Sequence, residues 1–298
     1  MEKGGQRVDG MLIAQITDVH IGFDVGNPTE FNRVRLDQLI ATLCSGPNVP
    51  DLLLATGDLA DNGALSSYQI FADAIAGVPF AVLPCVGNHD RRANFLTVFP
   101  HLADENGLVQ YVHDCGAFRL IIIDTLDEGR HGGAFCAARA KWLRARLAER
   151  PDLPTWIVMH HPPFDSGLEW MTTDPAEPWV ARFVDAIADA PGLRGMFCGH
   201  LHRALVMPWR GLTVAVCASS APQVALDLRP IDADRPDDRA MIVAEDPGYA
   251  LHHWNGEGLV SFFERAGDAP VLASYDRGMQ GLVRHLIDER PGHGHAAA

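Results

Sequence analysis

The chain has no long apolar run, no closely spaced cysteine pair and few basic residues, and each absence excludes a class of protein. None of the apolar stretches in the sequence reaches the roughly 18 residues that a membrane-spanning helix needs. The N-terminal sequence MEKGGQRVDG also lacks the apolar segment of a signal peptide. We therefore expect a cytoplasmic protein that does not insert into a membrane.

The six cysteines form no CxxC pair and no zinc-finger spacing. In a chain of this length, scattered cysteines indicate reduced and mostly buried thiols rather than a disulfide framework. Cys85 and Cys198 each lie in an apolar run just before a polar cluster. We interpret both as packing residues rather than as metal-binding thiolates.

The shortage of basic residues weighs against a nucleic-acid polymer as a partner. Lys and Arg number 24 against 38 Asp and Glu, which gives a formal net charge of -14. A protein that binds a long nucleic acid normally presents a basic face to the phosphates. A small anionic substrate remains compatible with this composition, because bound cations could supply the local positive charge.

Apolar runs alternate with helical patterns along most of the chain, which is typical of an α/β fold. The spacing of apolar residues predicts helices over 29–44, 66–77, 91–99, 137–150 and 179–190. From residue 204 onward the pattern changes to β-hairpins, one predicted over 204–219 and another over 249–266. We interpret 228–247, which is rich in Asp, Arg and Pro, as a surface loop or lid.

These elements predict a single domain over 11–290. We expect a flexible N terminus over 1–10 and a disordered tail over 291–298. The chain shows no internal repeat.

Seven potential metal ligands stand at five points of the chain, and each point directly follows an apolar run that predicts a buried strand. They are Asp18, His20, Asp58, Asn88, His160, His200 and His202. In open α/β sheets the carboxyl ends of strands are where sites gather, so one pocket could collect all seven. Two cations about 3.5–4 Å apart need a bridging oxygen ligand, imidazoles, and open positions for water and substrate. The set therefore predicts a two-metal hydrolytic centre.

Asp58 is the predicted bridging ligand. The first metal would also be bound by Asp18, His20 and His202. The second would also be bound by Asn88, His160 and His200. The mixed nitrogen and oxygen donors are compatible with Fe, Mn, Zn or Co.

Five short motifs carry a resemblance to a known family. DVH at 18–20, GDLADNG at 57–63, GNHD at 87–90, HHPP at 160–163 and GHLH at 199–202 resemble, in order and spacing, the signature blocks of the calcineurin-like metallophosphoesterase superfamily. Within it the chain looks most like the class III cyclic nucleotide phosphodiesterases and the bacterial glycerophosphodiesterase. The resemblance implies an αββα sandwich of two mixed β-sheets flanked by helices, with C-terminal β-hairpins. It also implies two metal ions per subunit and a homo-oligomer that uses part of 204–266.

The predicted reaction is hydrolysis of a small phosphodiester by in-line attack of a hydroxide held between the metals. By resemblance, His89 contacts the phosphoryl group or the leaving oxygen, and we assign it transition-state stabilisation and proton donation. Asp61 is predicted to orient His89 by accepting its other ring N–H. Asn62 stands where phosphoprotein phosphatases carry an arginine for a dianionic monoester, which favours a diester.

Two alternatives stay open at this point. One is a phosphomonoesterase that acts on nucleotides or sugar phosphates, and the other is a catalytically silent binding scaffold. Among the remaining polar residues, Asp90 is interpreted as the cap of the helix that follows it. His161 is interpreted either as a support for the ligands or as a packing residue. His131, His252 and His253 are interpreted as structural or solvated, with access to the site from the second hairpin left open for His252 and His253.

Overall fold

The computed structural model describes residues 10–27 and 29–290, and this part of the chain contains thirteen strands and six α-helices. The strands are β1 (Leu12–Ile16), β2 (Leu52–Thr56), β3 (Ala81–Cys85), β4 (Tyr111–Asp114), β5 (Arg119–Ile122), β6 (Thr155–Val158), β7 (Leu193–Cys198), β8 (Leu205–Trp209), β9 (Leu212–Val216), β10 (Gln223–Val224), β11 (Ile242–Val243), β12 (Gly248–Trp254) and β13 (Leu259–Arg265). The helices are α1 (Phe31–Ser45), α2 (Leu65–Ile75), α3 (Arg92–Val98), α4 (Ala137–Glu149), α5 (Pro178–Ile187) and α6 (Gln280–Asp288).

Eleven of the strands form two mixed sheets. The first has the order β13-β12-β1-β2-β3 and the second the order β4-β5-β6-β7-β9-β8. β1, β2 and β3 are parallel, as are β5, β6, β7 and β9. The outer pairs β12–β13, β4–β5 and β8–β9 are antiparallel. Strands β10 and β11 form a separate two-stranded ribbon.

The central strands are buried on both faces, because successive side chains point to opposite sides of a sheet. Ile13 of β1 packs between the two sheets with Ile122 and Phe197 of the second sheet. Its neighbour Ala14 faces the other way, into the cluster that holds α1, α2 and α3. A third cluster packs α4 and α5 on the outer face of the second sheet. The predicted αββα sandwich is confirmed.

The hairpins occur where the sequence predicts them. β8 and β9 are joined by Arg210 and Gly211, whose φ values of 50° and 81° suit the two-residue turn that matches strand twist. β12 and β13 pair from Trp254 opposite Leu259. Five predicted helices correspond to α1–α5, whereas α6 was not predicted. None of the residues of α6 is buried, so its apolar pattern has no core contact to specify it.

The chain divides into two compact units, Met1–Ala266 and Gly267–Ala298. The boundary between them lies inside the domain predicted over 11–290. Except for Gly10, the predictions of a flexible N terminus and a disordered tail fall outside the described residues. Within the described residues, no helix has the length and apolarity to cross a bilayer.

A polar network interrupts the apolar layer between the sheets. Gln15 donates from Nε2 to the Thr56 hydroxyl and to the Cys198 carbonyl, both at 2.9 Å. Its Oε1 lies 3.1 Å from Nε2 of His252, whose Nδ1 lies 2.8 Å from the Ser261 hydroxyl. Burial lowers the pKa of His252 to about 3, so the imidazole is neutral and donates from Nε2. His252 therefore has a structural role between the sheets.

His252→Gln is expected to weaken the acid dependence of stability. The pKa of the unfolded imidazole is about 6.5, and the folded value is about 3, so the unfolded chain binds more protons between these values. The contribution to stability is complete above the unfolded pKa and is lost as the pH falls from there towards 3. Protonation of this group in the unfolded chain should lower the free energy of unfolding of the wild type by about 2 kcal/mol between pH 7.5 and pH 5.

Urea unfolding at those two pH values measures the effect. His285→Gln on α6 is the matched control, because that imidazole is exposed, and it should keep the wild-type pH dependence. A wild-type pH dependence in His252→Gln would contradict the prediction.

Candidate metal centre

The seven predicted ligands lie at the carboxyl ends of strands from both sheets. Asp18, Asp58, His160 and His200 each lie two residues after the last residue of β1, β2, β6 and β7, and Asn88 lies three residues after β3. His20 and His202 follow on the loops after β1 and β7. Short contacts link the side chains of all seven residues into one cluster.

One group of donor atoms contains Asp18, His20 and His202, whose ligand atoms lie within 4.8 Å of one another. Nε2 of His202 is 3.3 Å from Oδ1 of Asp18 and 3.2 Å from Nε2 of His20. Nε2 of His20 is 3.8 Å from Oδ2 of Asp58. These are the residues that the sequence groups around the first metal.

The other group surrounds the side-chain oxygen of Asn88. Oδ1 of Asn88 is 3.2 Å from Nε2 of His160 and 3.0 Å from Nδ1 of His200. Nε2 of His160 is in turn 3.3 Å from Oδ2 of Asp58. The same carboxylate oxygen of Asp58 therefore borders both groups, which is the position expected of a shared ligand.

The backbone is left-handed at five of these residues. Asp18, His20, Asp58, His200 and His202 have φ values of 51°, 51°, 49°, 72° and 54°. Only two other non-glycine residues of the described chain have a positive φ. Such conformations cost on the order of 1–3 kcal/mol each and cluster at functional sites. The hydrogen bond of 2.9 Å from the His20 N–H to the Asp58 carbonyl helps to hold this backbone in place.

Two glycines leave room for the donor atoms. A Cβ on Gly87 would lie 2.3 Å from Oδ1 of Asp58 and 2.7 Å from Nε2 of His160. A Cβ on Gly199 would lie 2.0 Å from the Thr17 hydroxyl oxygen. A side chain at Gly87 would displace donor groups directly, and one at Gly199 would displace Thr17, whose hydroxyl donates to Oδ2 of Asp18 at 2.7 Å, which explains the glycines in the GNHD and GHLH motifs.

The donor set fits cations, as the orientation of the imidazoles indicates. His160 and His202 each donate Nδ1–H to a backbone carbonyl, at 2.8 and 2.9 Å, and His20 donates to the Asp61 carboxylate at 3.2 Å. Their Nε2 atoms therefore face the pocket. The two Nε2 atoms of His20 and His202, at 3.2 Å, repel one another unless a cation or a proton lies between them.

The buried carboxylates favour positive charge in the pocket. Burial by itself would lower the pKa of His160, but the charge of Asp58 and its hydrogen bond raise this pKa to about 9. Burial would raise the pKa of Asp58, but the neighbouring His160 and His20 bring it well below its usual range. A divalent cation bound here would displace the proton from His160, because a ligating imidazole is neutral.

His89 lies beside the predicted ligands rather than among them. Its ring packs edge-on against His20 with the centroids 4.6 Å apart, and its backbone N–H donates to Oδ1 of Asp58 at 2.8 Å. Its Nδ1 donates to the backbone carbonyl of Asp61 at 2.7 Å, which leaves Nε2 for contact with a ligand. This hydrogen bond corrects the prediction for Asp61, whose carboxylate lies against His20 instead. The carbonyl orients the ring in the same way but adds no negative charge.

The comparisons with known proteins agree with the motifs. Residues 11–204 match the model of the calcineurin-like phosphoesterases. The chain belongs to this family. This phosphoesterase is 31% identical over 254 residues to a probable glycerophosphodiester phosphodiesterase GpdQ of Arcobacter nitrofigilis. The aligned region covers 83% of this chain and 90% of the relative. It is also 38% identical over 189 residues to a probable cyclic nucleotide phosphodiesterase of Rhodopseudomonas palustris. This second alignment covers 60% of this chain and 67% of the relative.

The predicted superfamily is therefore confirmed, and a solved structure supports the fold. The crystal structure of a dimetal phosphatase from Danio rerio has a TM-score of 0.57 and 12% sequence identity, with 86% of this chain and 99% of that chain covered. At this identity the likeness shows the fold alone.

Asp90 of this phosphoesterase does not cap the helix that follows, contrary to the prediction. Its buried carboxylate accepts hydrogen bonds from the N–H of Gly87 at 2.8 Å, the N–H of Ala60 at 3.1 Å and the hydroxyl of Tyr68 at 3.0 Å. Burial and the charge of Asp58 raise the pKa of Asp90 to about 7. The residue ties the loop after β2 to the loop after β3, so it supports two of the loops that carry predicted ligands.

His131 is the residue that sequence reasoning missed. Its ring centroid lies 4.6 Å from that of His200, and its side chain lines the cavity in front of the predicted ligands. His161 supports it by donating from Nε2 to the His131 carbonyl at 3.2 Å, while its Nδ1 accepts from the Thr125 hydroxyl at 2.8 Å. Both nitrogens of His161 are thereby satisfied. No apolar run precedes His131, so the rule that identified the other histidines could not find it.

A cavity of about 500 Å³ in this phosphoesterase is lined by His20 and His202, two of the predicted ligands. Its polar lining residues are His20, Asn32, Asp61, His89, His131 and His202. Its apolar lining residues include Phe23, Phe31, Trp170, Met171, Pro222, Val224 and Ile242. Among the described residues that line it, none is lysine or arginine.

Proposed function

We propose that this phosphoesterase hydrolyses small phosphodiesters, with cyclic nucleotides and glycerophosphodiesters as the substrate types named for its relatives. Two divalent cations would be held by Asp18, His20, Asp58, Asn88, His160, His200 and His202. The observation that carries the proposal is the pair of donor groups that share Asp58, together with a cavity that is lined by His20 and His202 of the first group and has no lysine or arginine among its described lining residues.

When bound, the cations would lower the pKa of a water molecule and neutralise the phosphoryl oxygens of the substrate. The chain itself supplies position and proton transfer. Oδ2 of Asp58 lies 3.8 Å from Nε2 of His20 and 3.3 Å from Nε2 of His160, and a ligand shared in this way would fix the geometry for in-line attack on phosphorus. His89, with Nδ1–H held by a carbonyl, presents Nε2 to the phosphoryl group or the leaving oxygen.

The charge of the cavity favours a diester over a monoester. A phosphomonoester carries about one more negative charge than a diester at neutral pH, and the cavity lining has no lysine or arginine to pair with it. Asn62 also stands where the phosphoprotein phosphatases place an arginine. The second candidate function is a phosphomonoesterase on nucleotides or sugar phosphates. It is less favoured because the described cavity lining has no lysine or arginine to pair with the additional negative charge of a monoester.

Turnover of bis(p-nitrophenyl) phosphate and of p-nitrophenyl phosphate by the metal-loaded protein tests the function. We expect kcat/KM to be at least roughly tenfold higher for the diester, which corresponds to about 1.4 kcal/mol. A higher value for the monoester would support the monoesterase. Absence of both activities together with absence of bound metal would support the silent scaffold.

Self-association through part of 204–266, a cytoplasmic location and the identity of the metals stay predictions. Light scattering that gives the mass of one chain, 32.4 kDa, at working concentration would exclude self-association. Metal analysis of protein purified without added metals would distinguish Fe, Mn, Zn and Co.

A further inference from the structure

The apolar residues of the cavity line the same space as His20 and His202, two of the predicted metal ligands. Aromatic rings come from Phe23, Phe31 and Trp170, and Met171 and Ile242 add further apolar surface. A volume of about 500 Å³ is in the range of pockets that hold a ligand of drug size. We refer to the apolar residues that line the cavity as the wall. A phosphoryl group with small substituents would leave much of this wall uncovered.

The loop that carries Phe23 is held in place. The buried carboxylate of Glu30 accepts hydrogen bonds from the N–H of Gly22 at 2.6 Å and the N–H of Asp24 at 2.9 Å. These two donors flank Phe23, so its backbone position is set by a buried carboxyl group although the residue is 73% exposed. Holding a large apolar side chain in water in this way has no benefit for the packing of the chain itself.

The start of α1 organises the neighbouring part of the wall. Phe31 begins the helix, and the guanidinium of Arg35 lies 5.2 Å from its ring centroid. The same guanidinium donates to the carbonyls of Ser220 at 2.7 Å and Ala221 at 3.3 Å. Phe31 and the loop before Pro222 are therefore fixed relative to each other.

The remaining part of the wall comes from the small ribbon, in which Val224 pairs with Ile242. Phe31 and Ile242 are 54% and 53% exposed, so the mouth of the cavity presents apolar surface to solvent. Exposed apolar surface next to a polar site is typical of a ligand-binding groove.

The chemistry of the wall determines which group it can bind. Aromatic faces and a thioether attract flat apolar or aromatic groups by stacking and dispersion, with little dependence on their edges. They offer few partners to the hydroxyls of a polyol, and burial of an unpaired hydroxyl is unfavourable.

We propose that the wall formed by Phe23, Phe31 and Trp170 is a subsite for one ester substituent of the phosphodiester, and that it selects a flat aromatic substituent over a polyol such as glycerol. The proposal rests on the proposed function, because it assigns the substituent of a substrate bound at the same centre. It further implies that aromatic groups with different hydrogen-bonding groups at the ring edge bind with similar affinity.

Inert monoanions test the subsite without turnover. Dimethylphosphinate, methyl(phenyl)phosphinate and (2,3-dihydroxypropyl)(methyl)phosphinate have two P–C bonds and no ester to cleave. Calorimetric titration of the metal-loaded protein should give roughly 10–100-fold tighter binding of the phenyl compound than of the dimethyl compound. The dihydroxypropyl compound should bind no better than about threefold tighter than the dimethyl compound.

Variants of the wall connect this preference to named residues. Phe23→Ala should reduce the ratio of phenyl to dimethyl affinity severalfold, and Phe23→Ala with Trp170→Ala should bring it to within about threefold of unity. Phe23→Trp should keep the ratio, because it retains an aromatic face. Val25→Ala is the matched control, because Val25 is a neighbouring exposed residue outside the cavity lining.

A ratio near one in the wild type, or an unchanged ratio in the double variant with full metal content, would overturn the proposal. A double variant that alters self-association and leaves the ratio unchanged would also overturn it, since the wall would then be an interface between copies. Failure of the proposed function has a different signature, which is binding of the phosphinates without hydrolysis of any diester.

Discussion

Asp58→Asn is expected to lower kcat on a phosphodiester by roughly 10³-fold or more, because a centre with two cations contributes several kcal/mol of transition-state stabilisation. The carboxylate oxygen Oδ2 of Asp58 lies within 3.3 Å of His160 and 3.8 Å of His20, one residue from each donor group. An amide there would remove the anionic oxygen that the two groups share. Loss of bound metal should accompany the loss of rate.

The substitution is chosen to leave the fold unchanged. The side-chain oxygen of the introduced amide could still accept from the N–H of His89, as Oδ1 of Asp58 does at 2.8 Å. Asp73→Asn makes the same change of charge at an exposed position of α2 and is the matched control. Elemental analysis and initial rates on bis(p-nitrophenyl) phosphate measure the two effects. Wild-type metal content and rate in Asp58→Asn would contradict the assignment of Asp58 as a shared ligand.

His89→Ala is expected to keep both metals and to lower kcat by roughly 10²–10⁴-fold if His89 donates the proton to the leaving oxygen. The ring is oriented by the Asp61 carbonyl at 2.7 Å and packs on His20, but it belongs to neither donor group around Asp58 and Asn88. The loss should therefore appear in the rate and not in the metal content.

The leaving group distinguishes proton donation from simple contact with the phosphoryl group. A poor alkoxide leaving group, as in a cyclic nucleotide, needs a proton, whereas p-nitrophenolate leaves without one. The loss of rate in His89→Ala should thus be larger on a cyclic nucleotide than on bis(p-nitrophenyl) phosphate. His101→Ala, at an exposed histidine in the turn after α3, is the control. Equal losses on both substrates would assign His89 to phosphoryl contact alone, and loss of metal would assign it a structural role.

Much of the fold and the candidate ligand set could be predicted because the signals are local. An apolar run of about five residues predicts a buried strand, and the polar residue that follows it lies at the carboxyl end of that strand. Asp18, Asp58 and His200 are each two residues past a strand end. Parallel strands end on the same edge of a sheet, so convergence of these residues follows from a general rule.

The predictions that the structure corrects concern which atom of a residue makes a contact across loops. Asp61 and Asp90 lie in the same short motifs as the predicted ligands, but their contacts depend on the conformation of the loops. The Asp61 carbonyl meets His89 while its carboxylate meets His20, and Asp90 points inwards to the loop after β2 instead of to its own helix. Backbone torsions decide these directions, and a residue pattern does not specify them.

The sequence by itself determined the order of strands and helices, the polar residues at the strand ends and hence the class of chemistry. Only the tertiary structure decided which atoms meet: the separation of the donor groups at Asp58, the approach of His131 and the apolar wall of the cavity. That wall combines the start of α1, the 165–173 loop and the β10–β11 ribbon, which lie far apart along the chain. Residues that distant become neighbours only through packing, which no local pattern encodes.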